Sequence, residues 1–269
     1  MAHSTHRYLH GHHESVLRSH RWRTAENSAA YLVPWLEPGA RVLDVGCGPG
    51  TITVGLAGYV SQGHVVGIDR AEDVLTEARA QSTSERRRNV SFEVGDVHHL
   101  GFDDGAFDVV HAHQVLQHVG DPVAAMVEMR RVCRPGGIVA VRDGDYPGFR
   151  YYPDEPELDR AIAAYGELTR RNGANWDAGR RLVAWAHQAG FPSVAPSAST
   201  WCFATPDDRA WWGGLWADRF TQSALAEQLV DHHLATPADL DSFAAAWLRW
   251  AASPDGWFVA VHGEIIATA

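Results

Sequence analysis

From position 40 onward, short apolar runs alternate along the chain with segments whose apolar residues recur at helical spacing. That rhythm belongs to βαβ units and predicts a mostly parallel sheet. Strands are expected at Arg41 to Val45, His64 to Ile68, Val90 to Val94, Phe107 to His111 and Ile138 to Val141. Between them Ile52, Gly55, Leu56 and Tyr59 keep helical spacing, and Asp121 followed by Pro122 starts a helix before Val123, Met126 and Val127. Gly136 and Gly137 turn the chain into the fifth strand. A later helix opens at Asp177, carries Leu182, Trp185, Ala186 and Ala189 on one face and stops at Gly190. Two late strands, Ser193 to Phe203 and Trp257 to Ile266, complete the expected doubly wound, mostly parallel, seven-stranded α/β sheet.

The rest of the pattern divides into additions around this core. Residues 1–39 read as an N-terminal helical cap, 40–145 as the cofactor-binding core, 146–176 as a helical insertion and 177–204 as a continuation of the core. A second helical insertion covers 205–255, and 256–269 supply the final strand. Thr205 to Asp208 and Thr236 to Asp239 each have the Thr-Pro-x-Asp form of a capped helix start. Trp211, Trp212, Trp216, Trp247 and Trp250 fall at helical positions and are expected to pack these added helices.

The stretch VLDVGCGPGT, Val42 to Thr51, holds the first chemistry. A strand that enters a glycine-rich turn and then a helix presents backbone N–H groups and a positive dipole end at the strand's carboxyl edge. Gly46, Gly48 and Gly50 let a ligand come close to that backbone. Further features follow in order. Asp69 ends the second strand, where a carboxylate can accept both hydroxyls of a ribose. Asp96, followed by Val97, ends the third, where it can accept from an adenine amino group. A nicotinamide dehydrogenase normally shows GxGxxG; here the third glycine comes one position early and Asp44 precedes the first.

With VVGIDRAEDVLTEAR, VSFEVGDVHHLGFDDGAFDVVHAHQVLQHV and RRVCRPGGIVAV in sequence after the glycine loop, the chain resembles the class I S-adenosylmethionine-dependent methyltransferases, in the broad group of ubiquinone and menaquinone biosynthesis enzymes. The resemblance is close over residues 40–145. It implies a Rossmann-like methyltransferase fold, S-adenosylmethionine as cofactor and S-adenosylhomocysteine as product. It also implies that Asp44 and the glycine loop lie along the methionine moiety, that Asp69 holds the ribose and that Asp96 and Val97 flank the adenine. Arg70 and His111 join this cofactor set. By position His113 and Gln114 stand near the reactive end and are the catalytic candidates. SHRWRTAENSAAYL and HAHQVLQHV are similar to a narrower group that methylates reduced dithiols such as those of gliotoxin and the dithiolopyrrolones, which implies a thiol or dithiol acceptor. Transfer to oxygen, nitrogen or carbon, and a noncatalytic protein that binds the cofactor, are the alternatives.

Composition narrows the partners. The 269 residues carry a formal net charge of −10, from 23 Lys and Arg against 33 Asp and Glu, which argues against a nonspecific nucleic-acid binder. No apolar run is long enough to span a membrane, and the opening residues lack the apolar core of a secretory signal, so a cytoplasmic protein acting on a small molecule is expected. The oligomeric state has no signature. Cys47, Cys133 and Cys202 are scattered and suit a reducing compartment. His10, His12, His13 and His20 have no recognisable ligand spacing, so no metal is expected. Tyr8, His12, His13 and Trp22 in the cap, with Asp143, Tyr146 and Phe149 after the fifth strand, are the candidates to line the acceptor pocket.

Overall fold

The computed structural model describes residues 14–269. Tyr8, His10, His12 and His13 lie outside the described residues. The strands are β1 (Arg41–Val45), β2 (His64–Asp69), β3 (Val90–Val94), β4 (Phe107–His113), β5 (Cys133–Gly144), β6 (Arg150–Tyr152), β7 (Ser193–Phe203) and β8 (Trp257–Thr268). They form one sheet in the order β3-β2-β1-β4-β5-β8-β6, with β7 also paired to β8. The five expected core strands are all present and run parallel from β3 to β5, while β8 is antiparallel to β5. β6 was not expected: three residues inside a segment read as helical are too few to show an alternating pattern.

The chain divides into two compact units. One consists of His20–Gly144, Asp177–Ser199 and His262–Ala269 and holds the parallel strands. After α1 (Glu14–Arg21), its helices are α2 (Ala25–Ser28), α3 (Thr51–Tyr59), α4 (Glu72–Ser84), α5 (Pro122–Val132) and α7 (Ala178–Gln188). Val42, Leu43 and Val45 are each at most 2% exposed, as a parallel strand covered on both faces requires. Alternate residues then feed two apolar clusters. Val42, Val65, Val109 and Ala140 pack with Ala25, Ala29, Leu32 and Leu56 on one face. Leu43, Ile68, Val110 and Val139 pack with Met126, Met129, Leu182 and Trp185 on the other.

Helix starts follow their side chains. The Asp121 carboxylate accepts from Ala124 N at 2.9 Å, capping α5. Asp177 makes no such cap on α7 and instead forms a two-bond ion pair with Arg181, at 2.7 and 2.9 Å. Gly190, at φ +81°, ends that helix region in the left-handed conformation.

The second unit consists of the described residues up to Ser19 with Asp145–Trp176 and Thr200–Val261. It contains α6 (Pro156–Arg171), α8 (Pro206–Gln222), α9 (Ala224–Asp231) and α10 (Pro237–Ala252). Thr205 caps α8 through Asp208 N, and Thr236 with Asp239 forms a full capping box on α10. Trp212, Trp216, Trp247 and Trp250 are all buried here. The Trp216 and Trp247 rings stack at 5.5 Å, and Trp212 stacks on Phe203 at 4.2 Å. The expected packing role of these tryptophans is therefore what the unit's core consists of. Gly213 allows close approach of α8 to α10, since an added Cβ would lie 2.8 Å from Trp247 O.

Candidate active site

The turn after β1 answers why glycines alternate there. Gly46, Gly48 and Gly50 all have positive φ, at 65°, 54° and 81°, a backbone region that side chains disfavour. Their surroundings differ. A Cβ on Gly46 would lie 2.5 Å from Val115 Cγ2, and one on Gly50 2.8 Å from Ala78 Cβ. Among the described residues a Cβ on Gly48 would meet nothing nearer than His20 Nδ1 at 3.9 Å. Two glycines thus serve internal packing, and the middle one has open space beside it among the described residues.

Asp69 reaches this turn. Its Oδ2 accepts from Gly48 N at 3.0 Å and its Oδ1 from Ala71 N at 3.1 Å, so each oxygen keeps a second lone pair for a hydroxyl. Arg70 sits 3.6 Å from the Asp96 carboxylate. Burial raises the Asp96 carboxyl, but hydrogen bonds from His98 and the Arg70 cation outweigh it and hold the group below its usual range. Val97, beside it, is buried. The turn, Asp69 and the exposed Asp96–Arg70 pair make a cradle with the chemistry of an adenosine site. The Cys47 thiol in the turn is pushed up by burial and by Asp44 and Asp69, so it stays protonated and inert.

Strand register builds a polar layer beside the cradle. Asp44 on β1 is the Cα partner of His111 on β4, His113 of Arg142 on β5, and Arg142 of Glu264 on β8. By the two-residue period these side chains share the face whose lower part is the Val42 and Ala140 cluster. Asp44 is 2% exposed and both its oxygens are engaged: Oδ2 accepts from Thr53 Oγ1 at 2.5 Å, and Oδ1 lies 2.7 Å from His111 Nδ1. Arg142 Nε donates to Glu264 at 3.1 Å and to Ser199 Oγ at 3.0 Å, with Ser197 and Ser199 also donating to Glu264. A buried ion pair needs such extra bonds to offset its desolvation.

The predicted reactive-end residues sit in this layer. Burial first, then Arg142, Arg23, His262 and His111, hold the His113 imidazole well below its ordinary pKa, so it is neutral near pH 7. Gln114 takes a positive φ of 54°, its N–H donates to Arg142 O at 2.7 Å, and its side chain meets His262 Nε2 at 2.9 Å. Asp143 is fully buried and accepts from Leu116 N and Gln117 N at 3.3 and 3.1 Å. Burial nevertheless pushes its carboxyl up to about 7. Trp22 is half-buried, and its carbonyl accepts from Asn27 Nδ2.

Tyr146 and Phe149 belong to the other unit, with rings 4.6 Å apart. There they line a small apolar cavity with Tyr165, Trp216, Trp247 and Phe258. Sequence reasoning missed Arg142, Glu264 and His262. Charged residues inside IVAVRDG and VAVHGEIIAT, runs otherwise fit for buried strands, were the signal. Tyr31, whose ring stands 6.4 Å from that of His111, had none. Among the described residues no helix is long and apolar enough to cross a membrane.

A family model described as a methyltransferase domain matches residues 36–191. An uncharacterized methyltransferase of Schizosaccharomyces pombe is 38% identical over 96% of this chain and 95% of its own. The "Probable methyltransferase ltbC" of Aspergillus luteorubrus is 30% identical over 98% and 97%. Among solved structures, the YcgJ protein of Bacillus subtilis superposes with a TM-score of 0.59 at 20% identity, over 90% of this chain and 98% of that one, a likeness of fold alone.

Proposed function

Because the chain belongs to the S-adenosylmethionine-dependent methyltransferases of class I, we propose that it methylates a small-molecule thiol or reduced dithiol. The observation that carries the thiol is the weak basicity of the reactive end. His113 is kept neutral there by burial and by the Arg142 and Arg23 cations. A weak base suits an acceptor that ionises readily, and a thiol with an ordinary pKa of about 8.5 needs the least help to do so.

The chain's residues divide the work. Gly46, Gly48 and Gly50 with the start of α3 receive the methionine end of the donor, Asp69 the ribose, and Asp96 with Val97 and Arg70 the adenine. Asp44 acts from below, holding His111 and Thr53, since its carboxylate is buried beneath the turn's strand at 2% exposure. His113 and Gln114 form the wall at the reacting atoms, where the neutral imidazole offers a hydrogen bond and no competing charge. Bound S-adenosylmethionine supplies an electrophilic methyl and leaves as S-adenosylhomocysteine. The protein's contribution is alignment and exclusion of water.

The test is turnover of purified protein with S-adenosylmethionine against reduced dithiols, phenols, amines and activated carbon acids, read by product mass. A gain of one or two methyls on the dithiols supports the reading. Gain confined to another class removes the thiol assignment, and cofactor binding without any product removes catalysis.

A further inference from the structure

His262 is 0% exposed and stands inside VAVHGEIIAT, the apolar run of β8, where a branched aliphatic residue would fill the strand with no polar atom to satisfy. Strand register sets it opposite Gly144, at the carboxyl end of β5. There its ring stacks on that of His113, with centroids 6.3 Å apart and 28° between the planes. Its Nε2 stands 2.9 Å from Gln114 Nε2. One side chain from β8 thus adjoins both residues predicted for the reactive end, all within the parallel-strand unit.

The backbone of Gln114 is held without His262. Its φ of 54° is a strained conformation for a residue with a Cβ, and such a backbone persists where its surroundings fix it. β5 does so. Gln114 N donates to Arg142 O at 2.7 Å, the Asp143 carboxylate accepts from Leu116 N and Gln117 N, and Gly144 N donates to Gln117 Oε1 at 3.2 Å. What His262 adds is a direction for the side chain, whose one hydrogen-bond partner among the described residues it is. An amide nitrogen only donates, so the lone pair on His262 Nε2 accepts and the amide's orientation is set. Gln114 Oε1 then takes no hydrogen bond among the described residues, and on a half-buried side chain it is not enclosed. A carbonyl oxygen so placed is available to a donor on a ligand.

We propose that His262 is a positioning residue that sets acceptor specificity, holding the Gln114 amide so that Oε1 receives a hydrogen bond from a donor next to the reacting atom. The inference rests on the reading that puts Gln114 at the reacting atoms of a thiol methyltransferase. The acceptor it selects is a thiol with a second S–H or an O–H close by, the chemistry of a dithiol or a hydroxythiol. A thiol whose neighbouring group is an ether or thioether leaves Oε1 desolvated and unpaired on binding, which lowers kcat/KM. Without the His262 lone pair the amide turns and presents either end, and the selectivity disappears.

The experiment compares 2-mercaptoethanol with its O-methyl ether, 2-methoxyethanethiol, which lacks the donor and keeps the thiol. Full-chain wild type, His262→Phe, His262→Gln and Gln114→Ala are assayed for kcat/KM on each, with S-adenosylhomocysteine affinity by calorimetry and thermal midpoint alongside. Phenylalanine keeps a ring beside His113 and removes the lone pair, whereas glutamine restores an accepting oxygen. Wild type is expected to favour mercaptoethanol by about ten-fold, the worth of one hydrogen bond. His262→Phe is expected to bring the two thiols level at unchanged S-adenosylhomocysteine affinity, Gln114→Ala to do the same to the ratio, and His262→Gln to recover most of the preference. A preference kept in His262→Phe overturns the inference, as does wild type without one, or His262→Gln no better than His262→Phe. Should His262→Phe not fold, a preference retained in Gln114→Ala or lost in His262→Gln overturns it. Turnover of both thiols unaltered in Gln114→Ala shows instead that Gln114 lies away from the reacting atoms, and the inference falls with that placement. Wild type that methylates neither these thiols nor the dithiols removes the thiol reading, and the same variants are then judged on the acceptor class that is methylated, with and without its neighbouring donor.

Discussion

At Gly46 an added Cβ meets Val115 Cγ2 at 2.5 Å, whereas at Gly48 it meets only His20 Nδ1 at 3.9 Å. Both substitutions force a side chain into positive φ, at a cost on the order of 1 kcal/mol. Gly46→Ala adds overpacking of about 1–3 kcal/mol and is expected to lower the thermal midpoint. Gly48→Ala is expected to lose S-adenosylhomocysteine affinity at least ten-fold by calorimetry with a smaller loss of stability. Asp143 gives a pH-dependent counterpart. Its carboxyl stands at about 7 in the folded chain, against about 3.9 in an unfolded one. A raised acid contributes stability fully present below the unfolded value and lost as pH climbs through the folded one. The stability of Asp143→Asn relative to wild type should therefore improve between pH 5 and pH 8, by on the order of 3 kcal/mol in urea titrations. At this scale the sequence pointed to the glycines, Asp69 and Asp96 because their spacing is local. Arg142 and Glu264 left only the signal of charges inside apolar runs, and their pairing came from strand register, while Tyr31, in the turn after α2, left none.

At the scale of elements, β1 and β3 lie where the apolar runs put them, and Asp121, Thr205 and Thr236 each cap the helix they announce. Such signals were legible because each rests on a few neighbouring residues. β4 runs two residues past the expected end, to His113. The extension follows from pairing with Arg142, since a partner strand supplies the bonds that a polar sequence does not advertise. The capping box on α10 is the element most open to test. Thr236→Ala removes the acceptor for Asp239 N, and the loss should be about 1 kcal/mol by chemical denaturation. Trp247→Ala, at a residue 1% exposed within the stacked aromatic core, should cost about 3–5 kcal/mol.

For the whole molecule, a ligand that binds only the folded chain raises its apparent stability by mass action. S-adenosylhomocysteine at one hundred times its dissociation constant should add about 2.7 kcal/mol. That corresponds to a rise of about 5–10 °C in the midpoint of a protein of this size, read by scanning calorimetry. A nicotinamide dinucleotide at the same concentration should produce no rise. β8 brings a different consequence. Trp257, Phe258 and Val259 at its start pair with β6, while His262 to Thr268 pair with β5, so the ladders of both units draw on one strand. Every other strand precedes it in the chain and leaves the ribosome first. Neither ladder can close while β8 is still being synthesised, so the two units cannot mature one after the other as independent domains do. Completion of the sheet is a single late event, and a nascent chain arrested before Trp257 is expected to expose the unpaired edge of β5 to chaperones.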